Sequence, residues 1–204
     1  MPEVIHIVDD DEGVRSSLSA LLEVKGYSTQ THASSQEFLA NLVAAEALCV
    51  LADLRMPGMG GLELQDRLLT QGIELPFIVV TGYGDVPSAV RALKSGAADF
   101  IEKPLDTKIV LAAVENAAAS RRASLSASKA ATVAWQRIEA LTPRERDVLR
   151  HLVAGHPNKV IAHELKISPR TVENHRARLM VKMQVASVAE LVKLALEAGR
   201  ETLM

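Results

Sequence analysis

Four short apolar runs, Val4–Val8, Leu48–Ala52, Phe77–Val80 and Phe100–Ile101, punctuate the first hundred residues, and single stretches of helical periodicity separate them. Nothing else in the chain constrains its fold as tightly. The runs have strand length and mostly β-branched or aromatic content, and a weaker fifth run is Tyr27–Thr31. Helical spacing is visible in Val14, Leu18, Leu21 and Leu22 and again in Leu62, Leu64, Leu68 and Leu69, with stops at Gly26, Gly72 and Gly96. Ser34-Ser35-Gln36-Glu37 has the pattern of a capping box. Strands that alternate with single helices imply βαβ units, hence an α/β domain with a parallel, doubly wound sheet covered on both faces. Five strands and five helices account for residues 1–118.

After that the pattern becomes purely helical. Ala117–Val133 is rich in Ala and Ser and lacks Gly and Pro, so an extension of the preceding helix is expected over 119–137 rather than a loose tether. Thr142-Pro143-Arg144-Glu145 supplies an N-cap, Pro at the first helical position and Glu at the third, and Gly155 ends the helix it opens. Asn158–Leu165 is a second helix, Lys166-Ile167 a tight turn, Ser168-Pro169 the start of a third, and Val188–Leu196 a fourth. Residues 138–204 thus form a second, all-α domain.

Charge separates the same two regions. Residues 1–118 hold 8 Lys and Arg against 17 Asp and Glu, whereas residues 119–204 hold 15 against 8, so the formal net charge of −2 conceals an acidic half and a basic half. The basic half is a candidate for a polyanionic partner. The single cysteine, Cys49, lies in an apolar run and reads as a small buried residue; no disulfide framework is possible, which suits a reducing compartment. No uncharged run approaches the roughly 18 residues of a membrane span, and the first residues lack a basic stretch followed by an apolar one. A cytoplasmic chain with no membrane partner is expected.

In an open parallel sheet, sites collect at the carboxyl ends of strands. Those ends carry Asp9, Asp10 and Asp11, then Asp53, Thr81 and Lys103. Clustered carboxylates stay ionised beside a divalent cation or a Lys, and all-oxygen ligands suit Mg²⁺, or Mn²⁺ in its place. A metal held there neutralises a phosphoryl group approaching Asp53, whose carboxylate is a nucleophile; Thr81 and Lys103 then donate to the phosphoryl oxygens. Singly, these residues have plainer roles. Asp53 alone could be a helix cap, Lys103 a surface charge, Asp11 the start of a helix, and His6 a core residue.

Val8-Asp9-Asp10, Leu51-Ala52-Asp53-Leu54-Arg55-Met56-Pro57-Gly58, Val80-Thr81-Gly82 and Glu102-Lys103-Pro104 together resemble the motifs of response-regulator receiver domains. The resemblance implies a flavodoxin-like strand order 2-1-3-4-5 and phosphorylation of Asp53. It implies Mg²⁺ on Asp10, Asp53 and the backbone carbonyl of Arg55, with Asp9 acting through water. It further implies phosphoryl sensing by Thr81 and Lys103, a rotameric switch at Phe100, and a cis peptide at Lys103-Pro104. Tyr83-Gly84-Asp85 would belong to a loop that moves on phosphorylation.

In the basic half, Asn158–Leu165, a short turn and Ser168–Lys182 form helix, turn, helix. Val160, Ile161, Leu165, Ile167, Val172, Leu179 and Met183 can hold the pair together, leaving Glu173, Asn174, Arg176, Ala177 and Arg178 on one broad outer face. Such a helix enters the major groove, where Asn suits adenine, Arg guanine, Glu cytosine and Ala the thymine methyl. Lys159, Ser168, Thr171, His175, Arg178 and Lys182 are placed for phosphates. Leu141–Glu145, Gly155, Asn158–Ala162, Ile167–His175 and Lys182-Met183 resemble the LuxR-type DNA-binding domain. With the receiver in front, the chain is identified as a member of the FixJ/NarL response regulators, nearest the FixJ branch; Ala177 departs from relatives that carry a basic residue there.

Membership implies a sensor histidine kinase as phosphoryl donor, a homodimer formed on phosphorylation, double-stranded promoter DNA and RNA polymerase as partners, and transcriptional activation. It implies no enzyme beyond slow loss of the chain's own phosphoryl group. Two other readings stay open on the residues alone: a protein-interaction module with a vestigial acid site, and a small-molecule phosphotransferase or phosphatase. Arg55, standing two residues after Asp53 where a second acid would be needed, counts against the latter.

Overall fold

The computed structural model describes residues 3–82 and 86–198, with Val86 described by its backbone only. Tyr83, Gly84 and Asp85 of the expected loop lie outside the described residues. The elements are β1 (Val4–Val8), α1 (Glu12–Val24), β2 (Ser28–His32), α2 (Ser35–Asn41), β3 (Ala47–Asp53), α3 (Gly61–Thr70), β4 (Phe77–Thr81), α4 (Val86–Lys94), β5 (Asp99–Glu102), α5 (Thr107–Glu139), α6 (Pro143–Val153), α7 (Asn158–Glu164), α8 (Pro169–Met183) and α9 (Val188–Glu197). Two compact units divide between Ala123 and Ser124, inside α5.

In the first unit all five strands are parallel, in the order β2-β1-β3-β4-β5. β1, β3 and β4 are buried at every position, which is why their sequences are unbroken apolar runs rather than alternating ones. β2 is an edge strand that leaves most of its polar side chains in water; its signal is correspondingly weak, and it begins at Ser28 rather than Tyr27. The pleat sorts the side chains. Ile5, Ile7, Leu51, Ile78 and Val80 meet Leu18 and Leu22 of α1 and Val110 and Val114 of α5 on one face. Val8, Val50, Ala52 and Val79 meet Phe38 of α2, Leu64 and Leu68 of α3 and Ala92 of α4 on the other.

Two helix starts show how local signals resolve. Thr142 and Glu145 form the complete reciprocal box at α6. At α2, Ser34 Oγ accepts from the Glu37 N–H, but the Glu37 carboxylate takes the N–H of Ala33 instead of that of Ser34, so the expected box is displaced by one residue. The segment expected to begin a linker at 119 continues α5 as one 33-residue helix. Its first part stays tied to the sheet: the Arg121 guanidinium donates to the carbonyls of Ala44, Ala47 and Glu74, and Arg122 pairs with Glu3. Three carbonyls that end no helix thereby gain a donor.

Beneath α2, His6 Nδ1 and His32 Nε2 lie 3.0 Å apart, their rings stacked and both meeting the edge of Phe38. Burial pushes the His6 imidazolium down to about 4, with His32 adding to it, and burial lowers His32 as well. Unfolded histidine takes up its proton near pH 6.5, whereas folded His6 resists until near 4. Stability from this pair is therefore fully present above pH 6.5 and is lost as pH falls towards 4. His6→Val should reduce the acid-side loss between those limits by about 2 kcal/mol. Urea melts at pH 7 and pH 4.5 measure it, and equal pH dependence in the two proteins would refute the assignment.

The second unit is helical. Ile138 at the end of α5 joins Leu141, Val148, Leu149, Ile161, Val172, Leu179, Met183, Leu191 and Ala195 in one core fed by α6, α7, α8 and α9. Among the described residues, no helix is long and apolar enough to cross a membrane.

Candidate functional sites on the receiver and on the helix-turn-helix

β1 and β3 are neighbours at the point where the strand order reverses, and each delivers an aspartate to its carboxyl end. Asp9 and Asp53 are 2% and 6% exposed. Lys103, which follows β5, places its Nζ 2.8 Å from Asp9 Oδ2 and 2.7 Å from Asp53 Oδ1, so one ammonium bridges two buried carboxylates. Burial alone would lower Lys103, but its hydrogen bonds to Asp53 and Asp9 and their charges outweigh it and raise the ammonium above the ordinary lysine value. The other Asp53 oxygen accepts from the Arg55 N–H at 2.6 Å. Asp9 Oδ1 accepts from the Asp11 N–H.

The remaining expected residues fall around this pair. Asp10 is exposed beside it. Asp11 takes the plainer of its two roles, capping α1 by accepting from the Gly13 and Val14 N–H groups. Thr81, 1% exposed, ends β4, and its carbonyl accepts the Lys103 N–H at 2.7 Å. Phe100 is half-buried against the Val79 and Ala92 cluster. The Lys103-Pro104 peptide is cis. Two buried carboxylates with one ammonium, and Asp10 next in the chain, leave an oxygen-rich, net negative mouth; that donor set fits Mg²⁺.

Two residues here carry no motif of their own. Arg15 Nη1 donates to the Asp9 carbonyl at 2.6 Å and fixes the backbone that presents the acid. Gly61 opens α3 against the Asp53 carbonyl, where a Cβ would stand 2.5 Å from the oxygen; only Gly allows that approach. The adjacent Gly60-Gly61 pair, shortly after Pro57-Gly58, was the available sequence signal.

In the second unit, α7 and α8 are joined by Leu165-Lys166-Ile167. Lys166 takes a left-handed conformation at φ 54°, the Ile167 N–H bonds the Ala162 carbonyl and the Lys166 N–H bonds that of His163, a Schellman ending without glycine. Ser168 then caps α8 through the Thr171 N–H, and Pro169 is its first residue. Val172, Leu179 and Met183 face inward, while Glu173, Asn174, Ala177 and Arg178 form an exposed face with Arg170. Lys159 on α7 is exposed too.

Other expected contacts are differently employed. Arg176 is half-buried and donates to Asn158 Oδ1 at 2.5 Å, which draws it off the outer face and onto the start of α7. Lys182 pairs at 2.7 Å with Glu145, a 3% exposed acid, rather than standing free for a phosphate. Burial would raise Glu145, but Lys182 and the Thr142 cap outweigh it and hold the carboxyl below its usual range. The Ser168 and Thr171 hydroxyls share a 2.8 Å hydrogen bond. His175 is half-buried.

Comparison with known proteins agrees with both units. Residues 5–115 match the response regulator receiver domain, and residues 139–195 match the luxR family of bacterial regulatory proteins. The chain belongs to the two-component response regulators that join a receiver to a LuxR-type helix-turn-helix DNA-binding domain. Within that class it is FixJ-like. It is 47% identical to the transcriptional regulatory protein FixJ of Azorhizobium caulinodans, over 98% of this chain and 95% of that protein. Among solved structures, full-length FixJ from B. japonicum is 42% identical with a TM-score of 0.58, covering 97% of each chain. The response regulator StyR is 36% identical with a TM-score of 0.83, covering 95% of this chain and 98% of that one.

Proposed function

We propose that a sensor histidine kinase phosphorylates this regulator on Asp53, and that the modified protein dimerises through its receiver and binds promoter DNA with α8, activating transcription by RNA polymerase. The observation that carries the reading is the buried Asp53 carboxylate, held 2.7 Å from the Lys103 ammonium at the reversal of strand order. An Asp53 oxygen attacks phosphorus, a new P–O bond forms, and the electron pair of the breaking P–N bond returns to the donor imidazole. Asp10, Asp53 and the Arg55 carbonyl, with Asp9 acting through water, would hold Mg²⁺, which would supply charge neutralisation for that transfer. Lys103 and the Thr81 hydroxyl receive the phosphoryl oxygens. The group brings more charge than the carboxylate it modifies. Phe100 follows Thr81, and the face of α4 and β5 carrying Arg91, Lys94 and Asp99 becomes the dimer surface.

Dimerisation sets two copies of α8 at half-sites about one helical turn apart. Glu173, Asn174 and Ala177 meet base edges, with Lys159, Ser168, Thr171, His175, Arg170 and Arg178 on the phosphate side. Arg176 and Lys182 join them only by exchanging their present partners. The test is binding of the acetyl-phosphate-treated protein to a selected duplex as salt is raised. Lys159, Arg170 and Arg178 from two protomers should give a slope of about −5 in log K against log salt, and Lys159→Ala should shrink it by about 2 per dimer. Binding that ignores salt would refute the interface.

A further inference from the structure

Outside both sites, three side chains converge on one point in the second unit. His151 is in the last turn of α6, His156 follows Gly155 in the turn, and Glu164 ends α7. His151 Nδ1 is 3.1 Å from His156 Nδ1 and 3.1 Å from Glu164 Oε2, and all three ligand atoms lie within 4.8 Å of one another. The backbone builds this meeting. Gly155 is left-handed at φ 81°, its N–H bonds the Leu152 carbonyl, and the His156 N–H bonds the His151 carbonyl. That Schellman ending places the residue after the glycine over the residue five positions earlier, where an apolar contact is usual. Here the pair is two imidazoles, 5.3 Å apart between ring centres.

Protons satisfy the cluster only weakly. If His151 Nδ1 carries the hydrogen, that single hydrogen is shared between Glu164 Oε2 and a bare His156 Nδ1. If it is bare, it accepts from His156 but turns a lone pair towards the carboxylate. The two 3.1 Å contacts thus have either one hydrogen for two acceptors or a lone pair facing a carboxylate. A single cation taking a lone pair from each atom satisfies all three. A tetrahedral ion with bonds of about 2.0–2.1 Å sets its ligand atoms about 3.3 Å apart, close to the 3.1 Å that separates His151 Nδ1 from each of the other two. Two imidazoles and one carboxylate are a donor set for Zn²⁺, Co²⁺ or Ni²⁺ rather than Mg²⁺, and the carbonyl end of α6 favours positive charge.

We propose that His151, His156 and Glu164 form a transition-metal site, of the zinc type, that clamps the end of α6 to the end of α7. The clamp fixes the turn two residues before Asn158, the partner of Arg176, and so bears on how the helix-turn-helix is held.

Cobalt reports it directly. Full-length protein in excess Mg²⁺, titrated with Co²⁺, should develop the visible bands of a tetrahedral nitrogen and oxygen site, saturating at one equivalent and erased by Zn²⁺. His156→Ala, which leaves the Schellman backbone intact, should weaken Co²⁺ binding by more than about tenfold. Glu164→Gln, at an exposed position, should weaken it as well and covers the case in which the histidine variant does not fold. A spectrum showing only pale octahedral Co²⁺, or tetrahedral bands unchanged in Glu164→Gln and in every folded His156→Ala sample, overturns the site.

Discussion

Asp53→Asn is expected to abolish covalent phosphoryl uptake: incubated with acetyl phosphate and Mg²⁺, the native chain gains one phosphoryl group by intact mass and the variant gains none. The substitution is nearly isosteric, and the amide oxygen still offers Lys103 an acceptor, so the fold is retained while the nucleophile is lost. Among the described residues, no neighbouring acid replaces it. Asp9 is engaged by Lys103 and by the Asp11 N–H, Asp11 is consumed in capping α1, and Asp10 lies exposed outside the buried pair. The variant should also leave DNA affinity unchanged by acetyl phosphate, whereas the native protein responds. An undiminished adduct on Asp53→Asn would overturn the phosphoacceptor, and with it the mechanism built on the Lys103 bridge.

How much of this was legible in the sequence differs from element to element. β1, β3 and β4 announced themselves because a parallel strand buried on both faces must be apolar throughout. β2 barely did so, because an edge strand is free to be polar, and its start was misplaced by one residue. The acids, Thr81 and Lys103 were legible because strand ends are where such a sheet puts its chemistry. Arg15 and Arg121 were not, since both act on backbone carbonyls, which have no letter in the sequence. On α8, periodicity identified the buried side correctly but could not say that Arg176 reaches Asn158 or that Lys182 reaches Glu145. Long flexible cations choose their partners across the fold, by geometry that spacing along one helix does not contain.

That buried side of α8 is where the second large effect is expected. Val172, Leu179 and Met183 are its fully packed anchors, and Leu179 is 0% exposed within the core shared with Val148, Leu149 and Ile161. Leu179→Ala removes the methyls and leaves a cavity, a change that costs about 3 kcal/mol. A helical unit this small has a total stability of the same order, so the loss should lower its unfolding temperature by about 15 °C. The long helix α5 joins the units, but the acid site and the core behind it lie wholly within the first. Acetyl phosphate uptake by Leu179→Ala should therefore match the native protein while DNA affinity at 37 °C falls by at least about tenfold. Val181→Ala, on the same helix but 77% exposed, controls for helix propensity and should change stability by less than about 0.5 kcal/mol. Native DNA affinity in Leu179→Ala would show that α8 is not held by this core, and a matching loss of phosphoryl uptake would show that the two units do not stand independently.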